Sequence, residues 1–294
     1  MRSGAFTDNA GASNLKVTRS ISVATRLCRE ANHPLVLVPT MGALHRGHTS
    51  LIARARSLAG PRGTVAVSLF VNPTQFGPKE DLQRYPRPFA KDRQLCEEHG
   101  ADLLFHPSPA AMYPEGYSTY IEEQSLSSAL CGASRPGHFR GVCTVVAKLF
   151  HILQPDSAVF GLKDFQQCMV IRRMVRDLHL PVRIIPAETV READGLALSS
   201  RNQFLTPAER AQAPILRQAL NQAREAIQRG ESRVSELRTL LLNTLSKAPL
   251  ARVDYVEIAD AQTLQPLNVA TCDCVIAMAV FFGQTRLIDN LWIR

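Results

Sequence analysis

His45 and His48 stand three residues apart in the run Pro39-Thr40-Met41-Gly42-Ala43-Leu44-His45-Arg46-Gly47-His48. Residues at that spacing share a face of a helical turn, so two imidazoles can donate to one anion. An apolar run, Leu35 to Val38, precedes the pair, and an amphipathic stretch, Thr49 to Leu58, follows it. The pattern predicts a buried strand, a tight turn and a helix. A helix start offers unpaired N–H groups and the positive end of a dipole, which together seat phosphate. Gly47 is expected to leave room for a ligand beside the backbone. The chemistry that follows is stabilisation of charge growing during phosphoryl or nucleotidyl transfer. Neither the dinucleotide fingerprint G-x-G-x-x-G nor the Walker pattern G-x-x-x-x-G-K-[ST] occurs here. A pair of surface histidines at a helix start is the plain alternative.

Other residues could share that work. Lys163, Ser199, Ser200 and Arg201 can each donate to phosphate oxygens. Asp164 follows Lys163, and the amides Asn72, Gln75 and Gln167 fall in or beside loops. Taken singly, a Lys or Arg is a solvated charge, Ser199 and Ser200 cap a turn, and Asp164 complements a helix dipole.

The elements that must position these residues read as follows. Val17 to Asn32 is an opening amphipathic helix, and Thr64 to Val71 is a second buried strand. It ends at Asn72-Pro73-Thr74-Gln75-Phe76-Gly77, and ligands in open α/β sheets gather at such carboxyl ends. A helix follows from Phe89 to His99, then a short strand, Asp102 to Phe105, and an extended segment, Tyr117 to Glu122. A helix from Val142 to Leu153, a strand from Ser157 to Phe160, a helix ending at Leu178 and a strand from Val182 to Pro186 complete the alternation. Such alternation implies a Rossmann-like parallel sheet with helices on both faces.

After Thr189 the pattern changes. Thr206-Pro207-Ala208-Glu209 reads as a capping box opening a helix that ends at Gly230. A second helix runs from Ser232 to Lys247, followed by a strand, Val253 to Ile258, and a hairpin across Gly283-Gln284. The division expected is an α/β domain over 1–189 and a smaller C-terminal α+β lid domain over 190–294.

The chain has 294 residues, 45% of them hydrophobic and 20% charged, the balance of a globular protein with a large core. No apolar run reaches the length of a membrane span. The first twenty residues lack the apolar h-region of a secretory signal, and Met1 to Asn14 is expected to be a loose tail. Seven scattered cysteines, an odd number, point to free thiols in a reducing cytoplasm. Cys272 and Cys274 are expected to be packed core positions on one side of a strand. The net charge of +8 is spread without a Lys/Arg block, so a polyanionic small substrate explains a local positive site without nucleic acid.

Taken together, the strings resemble the pantothenate synthetase (pantoate–β-alanine ligase) family, within the H-x-G-H nucleotidyltransferase superfamily that includes class I aminoacyl-tRNA synthetases. The matching strings are P-T-M-G-A-L-H-x-G-H, S-x-F-V-N-P-x-Q-F at Ser68 to Phe76, Y-P-R at Tyr85 to Arg87 and M-Y-P at Met112 to Pro114. Further matches are H-F-x-G-V-x-T-V-V-x-K-L at His138 to Leu149, F-G-x-K-D-x-Q-Q at Phe160 to Gln167 and R-E-A-D-G-L-A-x-S-S-R-N at Arg191 to Asn202. The resemblance implies an enzyme that joins pantoate to β-alanine through a pantoyl adenylate, with ATP as substrate, Mg²⁺ as cofactor and a homodimeric assembly. It implies that His45, His48, Lys163, Ser199, Ser200 and Arg201 hold the phosphates, with Met41, Gly161 and Asp164 beside the nucleotide. It also implies that Gln75 and Gln167 bind pantoate with Asn72 and Met41 next to them, and that Asp92 is a candidate metal ligand. Leu162 stands where the family mostly has Glu, and Arg46 where an acidic residue is common; both are expected to make the phosphate region more positive. Rival readings are adenylylation of a phosphomonoester, which the neutral amides oppose, a basic nucleic-acid binder, and an inactive nucleotide binder.

Overall fold

A computed structural model describes residues 15–78 and 80–294. The expected N-terminal tail lies outside them. Six parallel strands form the first sheet, in the order β1-β4-β3-β2-β5-β6. The strands are β1 (Lys16–Thr18), β2 (Leu35–Thr40), β3 (Thr64–Leu69), β4 (Leu103–Phe105), β5 (Ser157–Gly161) and β6 (Arg183–Ala187). The helices among them are α1 (Ile21–Arg29), α2 (Arg46–Ala59), α3 (Phe89–Glu98), α4 (Pro109–Met112), α5 (Cys131–Ser134), α6 (His138–Leu153) and α7 (Phe165–Asp177).

Burial on both faces explains why β2 reads as a continuous apolar run. Leu35 to Val38 are all 0% exposed, as a central parallel strand requires. Leu35 and Leu37 face a core with residues of α1, α6 and α7, whereas Val36 and Val38 face one with residues of α2 and α3. The strand order reverses between β2 and β5. That is the topological switch point, where a crevice opens at the carboxyl ends of the strands.

Beyond β6 come α8 (Pro207–Gln212), α9 (Ile215–Gln228), α10 (Val234–Leu245) and an antiparallel sheet of β7 (Ala251–Asp260), β8 (Cys274–Phe282) and β9 (Thr285–Ile293). Leu216, Leu220, Leu237 and Leu241 from α9 and α10 cover one face of it, against Ile258, Ile276 and Met278. Residues of the opposite face, Ala259, Val275 and Ala277, join the core under the parallel sheet, and Trp292 packs edge-on against Phe165 at 5.3 Å. β8 and β9 are joined across Gly283-Gln284 as the pattern implied.

Several elements differ from the sequence reading. The opening helix begins only at Ile21, because Lys16–Thr18 pairs with β4 as an edge strand and Ser20 caps the helix, accepting from the Val23 N–H. The long helix starts at His138 rather than Val142. The capping box forms with both hydrogen bonds, Glu209 N to Thr206 Oγ1 and Thr206 N to Glu209 Oε2. Its helix nonetheless stops at Gln212, and a new one begins after Pro214, since proline has no N–H to continue the ladder. Tyr117 to Glu122 pairs with no strand among the described residues. Cys274 is buried in β8, but Cys272 is exposed and precedes the strand, so the two do not share a core face.

Candidate active site

The two histidines build the start of α2 themselves. His45 is the N-cap: its Nδ1 accepts from the Gly47 N–H at 3.1 Å, and His48 Nδ1 accepts from the His45 N–H at 3.4 Å. This is a capping box made of imidazoles. Because both Nδ1 atoms accept, the protons are assigned to Nε2, which leaves each ring one N–H to give to an anion. The rings lie 4.2 Å apart. A Cβ on Gly47 would come within 2.9 Å of the His45 ring. The space at Gly47 therefore serves the His45 ring, where a ligand's approach was expected.

Desolvation lowers the pKa of His45 to about 4 and that of His48 to about 3, helped in both by the charge of Lys163 and in His48 by His45. Both are neutral donors near neutrality. The unfolded rings titrate near 6.5, so between pH 7 and pH 5 the unfolded state takes up protons that the folded state refuses. Stability is full above the unfolded value and is lost as pH falls toward the folded values. Denaturant unfolding at pH 7 and pH 5 should show this loss, and a His45→Gln/His48→Gln variant should show a smaller one. An equal loss would mean that the folded rings protonate freely.

Asp92 has another task than metal binding. It is 2% exposed, and its two oxygens accept from the Ala43 and Leu44 N–H groups at 2.8 and 2.7 Å. It thereby holds Ala43 at φ 52, in the left-handed region, in the turn before His45.

The amides after β3 form a second group. Asn72, 1% exposed, gives its NH₂ to Gln75 Oε1 and the Gly141 carbonyl and accepts from the Tyr113 and Thr74 hydroxyls. Its hydrogen-bonding capacity is spent on placing Gln75. The Gln75 NH₂ faces Met41 Sδ at 3.2 Å, and a thioether is a weak acceptor that a hydroxyl or carboxylate displaces. A Cβ on Gly141 would meet the Thr74 carbonyl at 2.4 Å, so a side chain there would push this turn off α6. Of Gln166 and Gln167, the first bonds to Cys131, Leu126 and Ala129; the second lines the cavity.

A cavity of about 230 Å³ at the switch point gathers the rest. Met41, His45, His48, Asn72, Gln75, Gly161, Lys163, Asp164, Gln167 and Ser199 to Arg201 all line it. Val142, Val145 and Leu149 of α6 supply an apolar wall. A larger cleft of about 830 Å³, lined also by residues of the antiparallel sheet, shares Lys163, Asp164, Gln167, Ser199 and Arg201 with it. Lys163 Nζ lies 3.8 Å from Asp164. Ser199 caps the following turn, accepting from the Arg201 N–H. Arg201 binds Asp81 through two hydrogen bonds of 3.0 and 3.1 Å. Burial opposes the Asp81 charge, and Arg201 more than offsets it, holding that carboxyl below its usual range.

Leu162 is buried in the core and Arg46 is exposed, and neither lines the cavity. Sequence reasoning missed the ion pair Arg135–Glu80 and the His138 ring, which bonds the Gln75 carbonyl through Nδ1 at 2.8 Å and faces Arg135 at 3.0 Å. His138 stood inside a matched string, and that string was the available signal.

The sequence pattern of the pantoate-beta-alanine ligase family matches residues 14–292. The pantothenate synthetase of Syntrophotalea carbinolica is 53% identical over 266 residues, 90% of this chain and 93% of that protein. A crystal structure of pantothenate synthetase from Thermus thermophilus superposes with a TM-score of 0.88 at 46% identity, covering 94% of this chain and 98% of that one. That of pantoate-beta-alanine ligase from Francisella tularensis, complexed with beta-gamma ATP and beta-alanine, gives 0.75 at 35% identity, over 95% and 97%. With these likenesses running nearly end to end, the chain belongs to the pantoate–β-alanine ligase family.

Proposed function

We propose that the switch-point cavity is where this chain does its chemistry, with the phosphate donors and the pantoate amides in the roles set out below. The chain is a ligase: it condenses pantoate with β-alanine to pantothenate through a pantoyl adenylate, using ATP and releasing AMP and pyrophosphate. The observation that carries the site reading is the meeting of imidazole and cationic donors with neutral amides in one cavity.

A carboxylate is a competent nucleophile without a base. What the first step needs is in-line placement of two anions and cancellation of their repulsion. Gln75 and Gln167 hold pantoate against the α6 wall; neutral amides suit a hydroxy acid. His45 and His48 donate through Nε2 to the ATP phosphates, Lys163 adds charge, and Ser199, Ser200 and Arg201 clamp the far phosphates. Met41, Gly161 and Asp164 lie beside the nucleotide. Phosphate must displace Asp81 from Arg201. The amine of β-alanine then attacks the adenylate and AMP leaves.

No three His, Cys, Asp or Glu side chains converge on a metal position among the described residues, and Asp92 is engaged elsewhere. A Mg²⁺ ion of the kind the resemblance implies is held mainly by substrate phosphates and waters with one or two carboxylates, and would need no such cluster. The division at 189/190, with the C-terminal part closing as a lid, rests on the change of architecture after β6. The homodimer rests on the family resemblance, and the cytoplasmic setting on the free thiols. No described helix is long and apolar enough to cross a membrane.

Gln75→Ala is expected to weaken pantoate binding on the order of tenfold, the value of one hydrogen bond to a charged group, while ATP binding stays within about twofold. Calorimetry with each ligand checks it. Equal losses for both would remove Gln75 from the pantoate side.

A further inference from the structure

The last strand reaches the turn that carries Lys163. Asn290 of β9 donates from Nδ2 to the carbonyls of Leu162 and Lys163, both at 2.9 Å. These carbonyls lie 128 and 127 residues away in sequence. The neighbouring Asp289, 3% exposed, binds Arg191 through two hydrogen bonds of 2.7 and 2.8 Å. Arg191 opens the hairpin that bridges to Ala197 and delivers Ser199 to Arg201. Adjacent residues of a strand point to opposite sides, so one dipeptide grips the bases of both donor loops. The Asp289 carboxylate also accepts from the Asn290 N–H at 2.8 Å, tying the two grips together.

We propose that Asn290 is a positioning residue for adenylate formation, fixing the Leu162–Lys163 backbone so that the Lys163 ammonium meets the phosphates. It lines the outer cleft, but its amide is given to these two carbonyls and acts through them. The inference rests on the phosphate role given above to Lys163. Two carbonyls on one amide nitrogen fix both position and tilt of the turn, and a misplacement of about 1 Å at a reacting centre costs about 10²-fold in rate.

The test is a double-mutant cycle on the rate of pantoyl adenylate formation in a single turnover. Its corners are the wild type, Asn290→Ala, Lys163→Ala and the double variant. Asn290→Ala should be about 10- to 100-fold slower, with pantoate affinity within about twofold. In the Lys163→Ala background the Asn290 change should add nothing. Asn290→Asp keeps the size of the side chain but presents a carboxylate to two carbonyls, and should be at least as slow as Asn290→Ala. A role in packing alone would instead make Asn290→Asp the milder change. The proposal is overturned by a wild-type rate in either folded Asn290 variant. It is equally overturned by losses that multiply in the double variant, for then Asn290 acts apart from Lys163. A wild-type rate for Lys163→Ala would remove the phosphate role itself, and this proposal with it, so the two failures are told apart by that corner.

Discussion

Lys163→Ala is expected to slow pantoyl adenylate formation by on the order of 10²-fold or more, with the fold intact. The side chain leaves from the carboxyl end of β5, at the switch point, and lines both the inner cavity and the outer cleft. Its neighbours there are donors already neutral near pH 7, His45 and His48, so they cannot replace its charge. A preorganised cation facing a phosphoryl group is worth more in such a cavity than in water. Stability should change little, because the backbone of the turn is held by Asn290 and by α7, not by the ammonium. Rapid-quench measurement of adenylate with ATP and pantoate, beside a thermal unfolding curve, checks both halves. A near-normal rate in the folded variant would make Lys163 an ordinary surface charge.

The sequence made much of the site legible because burial and motif coincide in it. β2 and β5 are buried on both faces, so their apolar runs are unbroken and the residues just after them are loop residues at a strand's carboxyl end. The amides and phosphate donors read from the strings do line one cavity. What stayed hidden depends on partners far away in the chain. Asp92 looks like any helix acid until the Ala43 and Leu44 amides, 49 and 48 residues earlier, are brought onto it. Asn290 gives no periodic signal either. The capping role of His45 was hidden for another reason: the usual N-caps are Ser, Thr, Asp and Asn, so an imidazole gives no such signal. β1 escaped because an edge strand of three residues buries only one side chain, and no Gly or Pro separates it from α1. The break at Pro214 was legible in principle, and the apolar periodicity running through it masked it.

An order of binding is expected from where the proposed phosphate donors sit. They come from both sides of the cleft, His45, His48 and Lys163 from the parallel sheet and Ser199 to Arg201 from the segment beyond it. In the proposed roles these side chains gather on the phosphates and are expected to fill the approach that an amine would need. β-Alanine is therefore expected to enter after pyrophosphate leaves, using the space and positive charge it vacates. Arg135 does not offer a ready clamp for its carboxylate, being engaged by Glu80. The decisive measurement is exchange of labelled pyrophosphate into ATP with pantoate present and β-alanine absent. Exchange is expected under those conditions, with none when pantoate is also left out, and with a loss of at least about 10²-fold in Lys163→Ala. An exchange that strictly requires β-alanine would contradict this order.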